Sequence, residues 1–330
     1  MTLAAAGVRP EQLPATERHP RWTGRTRGGL VGNWIFVTVI RWLGLSCAYA
    51  LLVPVSAYFL IVSRGARRAS EQYRRRIDPG RRSWPARMLW AFRHFYAFGQ
   101  ILLDRVAIIG GLAERFRFEF EGEEHLVAAL AGGRGAILLS AHCGNWEAAA
   151  HLLKRVGPRV NVVAYEGEVA HIRRYFDKVL KDRSFSLIVV DGSAEASLAI
   201  MAALARGEVV ALHGDRLPTG SEGRGAEVDF LGAPARLPAG PYLLAALSGA
   251  PLVQVFAMRE GAYRYHFRAF PPEHLALAER PRRPEQLREW AGRFARRLEQ
   301  QLREHPRQWH NFYDFWAAAP VPADGGGARP

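Results

Sequence analysis

Cysteine is nearly absent from this chain of 330 residues, which contains only Cys47 and Cys143. Two cysteines cannot build the disulfide framework that holds many small secreted domains together. Hydrophobic residues make up 49% of the chain, so its composition allows a sizeable core without such cross-links. We therefore expect the soluble part to face a reducing compartment. The length fits one large domain with an appendage, or two modest domains.

Acidic residues are few relative to basic ones, because 45 lysines and arginines face 31 aspartates and glutamates. The resulting formal net charge is +14, and almost all of the excess is arginine. Arginine binds phosphate and carboxylate groups in a forked geometry. Three partners fit such a surface: nucleic acid, an anionic membrane or an acidic carrier protein.

Charge is wholly absent between Trp42 and Val62, "WLGLSCAYALLVPVSAYFLIV". A helix needs about 20 apolar residues to cross a bilayer core of ~30 Å, and this stretch is long enough. Pro54 would kink the helix, which membranes tolerate. The pattern predicts a retained membrane-anchoring helix, and a buried helix of a soluble domain is the alternative.

Arginines crowd the segment that follows, at positions 64, 67, 68, 74, 75, 76, 81 and 82. The positive-inside rule places this segment on the cytoplasmic side, against anionic lipid headgroups. The leading segment is also basic, so charge asymmetry is weak and an interfacial helix stays open. No nucleic-acid recognition motif accompanies the charge, so the apolar segment explains the basic flanks better. We expect no nucleic-acid partner.

Short apolar runs alternate with helical patterns beyond residue 85. Runs at 135–141, 159–166, 186–192 and 208–215 are typical of strands buried on both faces. Helices are predicted over 86–106 and 284–304, and a hairpin around Gly261. The pattern predicts an α/β fold with a mixed, mostly parallel sheet covered by helices on both faces.

The predicted organisation has four parts. Residues 1–30 are a polar, disordered segment, and residues 31–84 form the membrane anchor with its basic flank. Residues 85–318 form the globular domain that carries the candidate site, and residues 319–330 are a disordered tail.

The sequence "SAHCGNWE" at 140–147 ends a predicted strand, where chemistry in such sheets usually lies. Gly144 permits a tight turn and Asn145 can cap the next helix. On one helix, His142 and Glu147 would lie about 140° apart, so they meet only if His142 precedes the helix and folds back. A carboxylate on one imidazole nitrogen lets the other take a proton from a hydroxyl.

Three other interpretations of this stretch stay open. Zinc could bind His142, Cys143, Glu147 and His151, but their spacing matches no known metal motif and "HEXXH" is absent. Cys143 could be a nucleophile, although adjacent residues in an extended segment point oppositely and His142 would be badly placed to activate it. His142 could also be purely structural. We expect no metal.

Several blocks in order carry a family resemblance: "AHCGNWE", "LHGDR" at 212–216, the stretch 228–253 and "QWHNFYDFW" at 308–316. The chain resembles the bacterial lipid A late acyltransferase (lauroyl/myristoyl transferase) family, within the lysophospholipid and glycerolipid acyltransferase superfamily. It resembles still more closely relatives predicted to act on other lipids, some near aryl polyene gene clusters. The resemblance covers roughly residues 30–316.

The resemblance implies transfer of an acyl chain from an acyl carrier protein or coenzyme A thioester to a lipid hydroxyl, without a cofactor. His142 and Glu147 would deprotonate the hydroxyl, and backbone N–H groups near Gly144 and Asn145, or an arginine, would bind the oxyanion. The implied location is the cytoplasmic side of the inner membrane.

Asp215 and Arg216 end another predicted strand and can therefore face the same rim as His142. We expect Arg216 to bind a phosphate of donor or acceptor and Asp215 to position it, with Arg236 a weaker candidate; an exposed ion pair is the alternative. In the tail, Trp309, Phe312, Tyr313 and Trp316 follow helical spacing, which indicates core packing. A non-catalytic membrane adaptor remains the alternative function.

Overall fold

The computed structural model describes residues 30–146, 157–165, 185–190, 194–217 and 225–316. Both segments predicted to be disordered lie outside these residues, Leu30 excepted, as does the helix predicted directly after Gly144.

Three helices open the described chain: α1 (Leu30–Val62), α2 (Arg64–Ile77) and α3 (Trp84–Ala107). The charge-free stretch is helical as predicted, and Pro54 lies inside α1 without ending it. Gly44 interrupts α1 with φ of 82° and ψ of 170°, a conformation that a residue with a side chain rarely adopts. The helix is therefore bent at Gly44, and a kink at Pro54 stays a prediction.

A π-helical turn (Ile108–Leu112) and a 3₁₀ turn (Ala113–Arg115) lead into the α/β region. Its strands are β1 (Arg117–Glu121), β2 (Ala136–Ser140), β3 (Val160–Tyr165), β4 (Phe185–Val190), β5 (Val209–His213), β6 (Gly225–Asp229), β7 (Pro234–Pro238), β8 (Leu252–Gly261) and β9 (Arg264–Ala269). Its helices are α4 (Glu123–Leu130), α5 (Ala194–Ala205), α6 (Gly240–Ser248), a 3₁₀ turn (Arg280–Arg282) and α7 (Arg283–Glu304).

Seven of the described strands form one sheet in the order β1-β9-β8-β2-β5-β3-β4. Every neighbouring pair is parallel except β8 and β9, which form the predicted antiparallel hairpin. β6 and β7 form a separate antiparallel pair. The mixed, mostly parallel sheet that the sequence predicts is confirmed. The strand order places β5 directly beside β2.

Successive side chains of the central strands pack into two different cores. Ile137 and Leu139 of β2 join a cluster with Phe294 and Leu298 of α7, whereas Leu138 joins a smaller cluster on the opposite face. This alternation follows from the two-residue repeat of a strand, since neighbouring side chains point to opposite faces. A central strand buried on both faces holds its carboxyl end in a fixed position.

The aromatic tail packs as predicted but is not the regular helix that its spacing indicated. Trp309, Phe315 and Trp316 are buried in the main core. Trp309 forms an isolated antiparallel bridge with Cys143, so the chain is extended there. The helical spacing was misleading because pairing with the strand-to-helix turn, rather than a local repeat, determines this backbone.

Candidate active site

The carboxyl ends of β2 and β5 bring two polar side chains together. The strands are parallel neighbours, and their register pairs Ser140 with His213. His142 and Asp215 each follow one of these paired residues by two positions, so the two chains leave the sheet side by side. The expectation that both residues lie on the same rim is therefore met by direct contact.

Asp215 is hydrogen-bonded to the imidazole of His142: Oδ1 of Asp215 lies 2.7 Å from Nδ1 of His142. The backbone N–H of His142 also donates to both carboxylate oxygens at 3.1 Å. Asp215 is fully buried and His142 is only partly buried. This arrangement fixes the ring and directs its chemistry to Nε2, the nitrogen on the far side from Asp215.

Residues of the tail complete the surroundings of Asp215. Trp309 Nε1 donates to Asp215 Oδ2 at 3.0 Å, and Asn311 Nδ2 donates to the same oxygen at 3.3 Å. Burial raises the pKa of Asp215. The charge and hydrogen bond of His142 and the charge of Arg216 lower it by more than burial raises it. The net pKa lies well below its usual range, so the carboxylate stays ionised beside the imidazole.

A second imidazole packs on the first. The rings of His142 and His213 have centroids 4.1 Å apart, and the Trp146 ring contacts His213 edge-on at 4.9 Å. Sequence reasoning missed His213, although its position at the end of an apolar run was a signal. His213 and Trp146 limit the orientations open to the His142 ring.

The turn after His142 depends on Gly144. Its φ is +57°, and a Cβ atom there would lie 1.8 Å from the carbonyl oxygen of Ala257. The Gly144 N–H donates to the Gln308 carbonyl at 3.1 Å, and the Asn145 N–H donates to the Ala257 carbonyl at 2.8 Å. Both N–H groups expected to bind an oxyanion are thus already bonded within the protein, which corrects that expectation.

Cys143 is buried, and its thiol has a raised pKa because of burial and the charge of Asp215. A protonated, buried thiol is a poor nucleophile, which argues against the cysteine alternative. Glu147 and His151, needed for both the predicted dyad and the zinc alternative, lie outside the described residues. Within the described residues, no group of three metal-binding side chains occurs.

Arg216 is hydrogen-bonded to the tail. Its Nε donates to Asn311 Oδ1 at 2.6 Å and its Nη2 to the carbonyl of His310 at 2.9 Å. The guanidinium also lies 5.8 Å from the ring centroid of Tyr313. Asp215 therefore contacts His142, and Asn311 and His310 orient Arg216. The charge of Arg216 also acts on Asp215, and the role of Asp215 in positioning Arg216 stays a prediction.

Arg236 lies apart from these residues in the β6–β7 pair. It is registered opposite Glu227, and its Nη2 donates to Glu227 Oε1 at 2.6 Å. Glu227 is exposed and Arg236 is partly buried, so the pair resembles an ordinary surface ion pair. The described contacts do not bring Arg236 to His142.

The comparisons with known proteins agree with this architecture. A family model described as "Bacterial lipid A biosynthesis acyltransferase" matches residues 34–317. A phosphatidylinositol mannoside acyltransferase of Mycobacterium tuberculosis is 31% identical over 66% of this chain, and one of Mycolicibacterium smegmatis is 30% identical over 59%. In each case the match spans 61% of the relative's own length.

A solved structure also resembles the chain, namely the 1-acyl-sn-glycerophosphate acyltransferase PlsC from Thermotoga maritima. It has 12% sequence identity and a TM-score of 0.37, and the match covers 77% of this chain and 97% of that one.

Proposed function

Since the chain belongs to the bacterial lipid A biosynthesis acyltransferase family, we propose that it transfers a fatty acyl chain from a thioester to a hydroxyl of a lipid. The donor would be acyl carrier protein or coenzyme A. The observation that carries the proposal is His142 at the end of β2, with Nδ1 hydrogen-bonded to the buried Asp215. This pair is suited to deprotonating a hydroxyl.

In the proposed reaction, Nε2 of His142 takes the proton of the acceptor hydroxyl as its oxygen attacks the thioester carbonyl. Asp215 stabilises the imidazolium that forms. The tetrahedral intermediate then collapses, the new ester remains on the lipid, and the leaving thiolate receives the proton from the imidazolium. General-base assistance of this kind contributes ~10²–10⁴-fold to the rate.

Arg216 supplies positive charge next to the pair. Its charge acts on Asp215, and its guanidinium is oriented by Asn311 and His310. An oriented guanidinium is suited to a phosphate of donor or acceptor, or to the developing oxyanion. Arg236 stays a weaker candidate for the same role.

Glu147 stays a prediction as a second carboxylate near His142. Since Asp215 already bonds Nδ1, Glu147 would act on the acceptor or on the far side of the ring. Activity lost in Asp215→Asn but kept in Glu147→Gln would assign the pairing role to Asp215 alone. The reverse result would restore the His142–Glu147 dyad.

Relatives named for a phosphatidylinositol mannoside favour an acceptor hydroxyl on a lipid headgroup. Lauroyl or myristoyl transfer to a lipid A precursor is one form of the proposal. Lysophospholipid and aryl polyene headgroups present the same chemistry.

The proposed location is the cytoplasmic side of the inner membrane. Two helical stretches, Trp34–Val62 and Trp84–Arg115, are long and apolar enough to cross a membrane. The exposed arginines of α2 follow directly after the first and would contact anionic headgroups. A non-catalytic adaptor would use the same surface without needing His142 and Asp215 in contact, which makes the enzyme the better proposal.

Mass spectrometry of membrane lipids tests the proposal. Cells that express the wild-type chain should contain a lipid with one additional ester-linked acyl chain. Cells that express His142→Ala at the same level should lack it, and the mass difference would name the acyl length and the acceptor together. The same acylated lipid in both strains would reject the catalytic assignment and favour the adaptor.

A further inference from the structure

We infer that α1 and α3 lie along one leaflet of the membrane, held against the catalytic domain by a buried polar cluster around Asp104, and that neither helix crosses the bilayer. The inference rests on the proposed membrane association. It concerns how the chain sits on the lipid, and it does not depend on whether acyl transfer occurs.

One side of α1 is packed against α3 and, at Ser46 and Tyr49, against Tyr263 between β8 and β9. Ile40, Leu45, Ala48 and Leu52 are buried in a cluster that includes Tyr265 of β9. Leu45 and Leu52 both follow the bend at Gly44 and are about 10 Å apart along a helix with a rise of 1.5 Å per residue. A helix that crossed a hydrocarbon core of ~30 Å could not keep this contact with a domain that remains in water.

The Asp104 cluster fixes α1 to the domain with polar contacts as well. Asp104 of α3 is fully buried and accepts hydrogen bonds from Arg259 Nε of β8 at 2.8 Å and the Tyr265 hydroxyl at 2.6 Å. The Tyr49 hydroxyl of α1 donates to the other oxygen of Asp104. If α1 left the domain, this buried carboxylate would lose a donor, which is costly.

α3 is bonded to the domain at its middle and near its carboxyl end. His94 Nε2 lies 2.8 Å from the carbonyl oxygen of Trp309, and Asp104 bonds to Arg259 and Tyr265. The two residues are ten positions apart, about 15 Å along the helix. Because both contacts are made to residues outside the helices α1–α3, the part of α3 from His94 to Asp104 follows the surface of the α/β domain.

The opposite side of these helices offers an apolar surface to lipid. Large exposed side chains there are Trp34, Trp42, Leu43, Tyr58 and Ile61 of α1, and Trp84 and Leu89 of α3. Five exposed arginines lie between these two helices in the chain: Arg64, Arg68 and Arg75 of α2, and Arg81 and Arg82 in the segment after it. Aromatic and aliphatic side chains beside clustered arginines are typical of a surface that enters one leaflet of an anionic bilayer.

A cross-link tests whether α1 stays docked in the membrane. A Cβ atom on Gly99 of α3 would lie 3.1 Å from Leu52 Cγ of α1, so Leu52→Cys with Gly99→Cys should form a disulfide in isolated membranes. Val53 is exposed on the other side of α1, so Val53→Cys with Gly99→Cys is the matched control and should stay reduced. Both pairs are placed in a Cys47→Ser chain. An unlinked Leu52 pair, or equal linking of both pairs, would overturn the inference.

Sidedness separates a docked helix from a membrane-crossing hairpin, because both would form the cross-link. Single cysteines at Thr2, Arg81 and Gln300 report on the segment before α1, the segment before α3 and the catalytic domain. A membrane-impermeant maleimide labels one side of the membrane in intact cells and the other side only after the cells are broken. All three cysteines should be labelled under the same one of these two conditions. Reaction of Thr2→Cys or Arg81→Cys from the side opposite to Gln300→Cys would show a crossing and overturn the inference.

Two further results keep the inference and the proposed function distinguishable. Absence of the full-length chain from the membrane fraction would overturn the inference, whatever the acyl-transfer result. Same-side labelling together with unchanged membrane lipids would support the inference and count against the enzyme.

Discussion

Two fully buried carboxylates, Asp215 and Asp104, have different partners and do different work. Asp215 is hydrogen-bonded to a titratable imidazole and to three neutral N–H donors, with the charge of Arg216 nearby. Asp104 is hydrogen-bonded to the permanent cation of Arg259 and to two tyrosine hydroxyls. A guanidinium does not give up its proton at physiological pH, but an imidazole does. The pairing of Asp104 with arginine therefore forms a structural contact, the joint, which holds α1 and α3 on the domain. The pairing of Asp215 with histidine forms a site for proton transfer.

The two regions are connected through consecutive residues of the tail. The Gln308 side chain accepts from the Arg259 N–H at 2.8 Å and donates to the Arg259 carbonyl at 2.6 Å, and Trp309 bonds to Asp215. The same tail residue, Gln308, accepts the Gly144 N–H through its carbonyl. The Asp104 cluster and the Asp215–His142 pair are thus both bonded to the segment Gln308–Trp309. Variants can show whether the two carboxylates also have the same role.

The largest expected difference comes from Asp215→Asn. An amide cannot stabilise the imidazolium and can hold the wrong tautomer of His142, so we expect the turnover number to fall on the order of 10²–10⁴-fold. The measurement is the rate of acyl transfer by the purified chain in lipid vesicles. Asp104→Asn is the matched control, and its folded fraction should retain most of the turnover number. An equal loss in both variants would remove the distinction between joint and site.

Asp104→Asn should instead reduce stability. Removing one partner of a buried ion pair leaves Arg259 without its counter-charge, which costs about 3–5 kcal/mol. The check is urea-induced unfolding in detergent, compared with Tyr265→Phe, which removes one neutral donor and should cost less. A free energy of unfolding that does not change in Asp104→Asn would show that the cluster does not hold the helices.

His94 predicts a pH dependence at the contact between α3 and the tail. Burial lowers the pKa of His94 from its ordinary value of 6.5 to about 4. The unfolded chain therefore binds the proton first as pH falls. The contribution of His94 to stability should decrease from about pH 6.5 to about pH 4, by a total of ~3 kcal/mol, and stay constant below that range.

The check is the free energy of unfolding at pH 7 and pH 5 for the wild type and His94→Gln. The glutamine variant should be less stable at pH 7 but should lose less on acidification. The same slope in both proteins would contradict the assignment to His94. Loss of the ionised form of Asp215 falls at still lower pH, because its folded pKa is depressed, and does not overlap this window.

The smallest expected effect is that of Trp309→Phe. The change removes one N–H donor from Asp215 while keeping an aromatic side chain in the core, and a hydrogen bond to a charged group contributes about 2 kcal/mol. We expect a modest loss of turnover, with wild-type activity largely kept if Asn311 still holds Asp215 Oδ2. Asn311→Leu in the same background should then produce a larger fall. Additive small losses in the double variant would argue that neither residue positions the carboxylate.

Much of the fold could be predicted because its strands are short apolar runs between helices. The runs at 135–141 and 208–215 became β2 and β5, and the hairpin around Gly261 became β8 and β9. Strand order could not be predicted, because no local pattern states that β2 pairs with β5 rather than with β3. The bend at Gly44 and the packing of α1 against β9 also depend on distant residues.

Only the part of the candidate site that is formed by residues close to His142 in sequence could be predicted. His142 at a strand end, Gly144 as the turn and Cys143 as a bystander all follow from residues close in sequence. The partner of His142 was sought at Glu147 for the same reason, whereas the structure places Asp215 on Nδ1. Trp309 and Asn311 approach from the tail. The helical spacing of Trp309 with other aromatic residues pointed to packing rather than to a bond with a carboxylate, and Asn311 was not singled out.

The most direct test of the central claim is the release of free thiol from acyl-coenzyme A and acyl carrier protein by the purified chain, with and without lipid extract. We predict that the wild-type protein releases thiol in a lipid-dependent manner with at least one donor. His142→Ala, with an unchanged unfolding curve, should not. Lipid-dependent release that persists undiminished in His142→Ala would contradict the assignment of His142 as the general base.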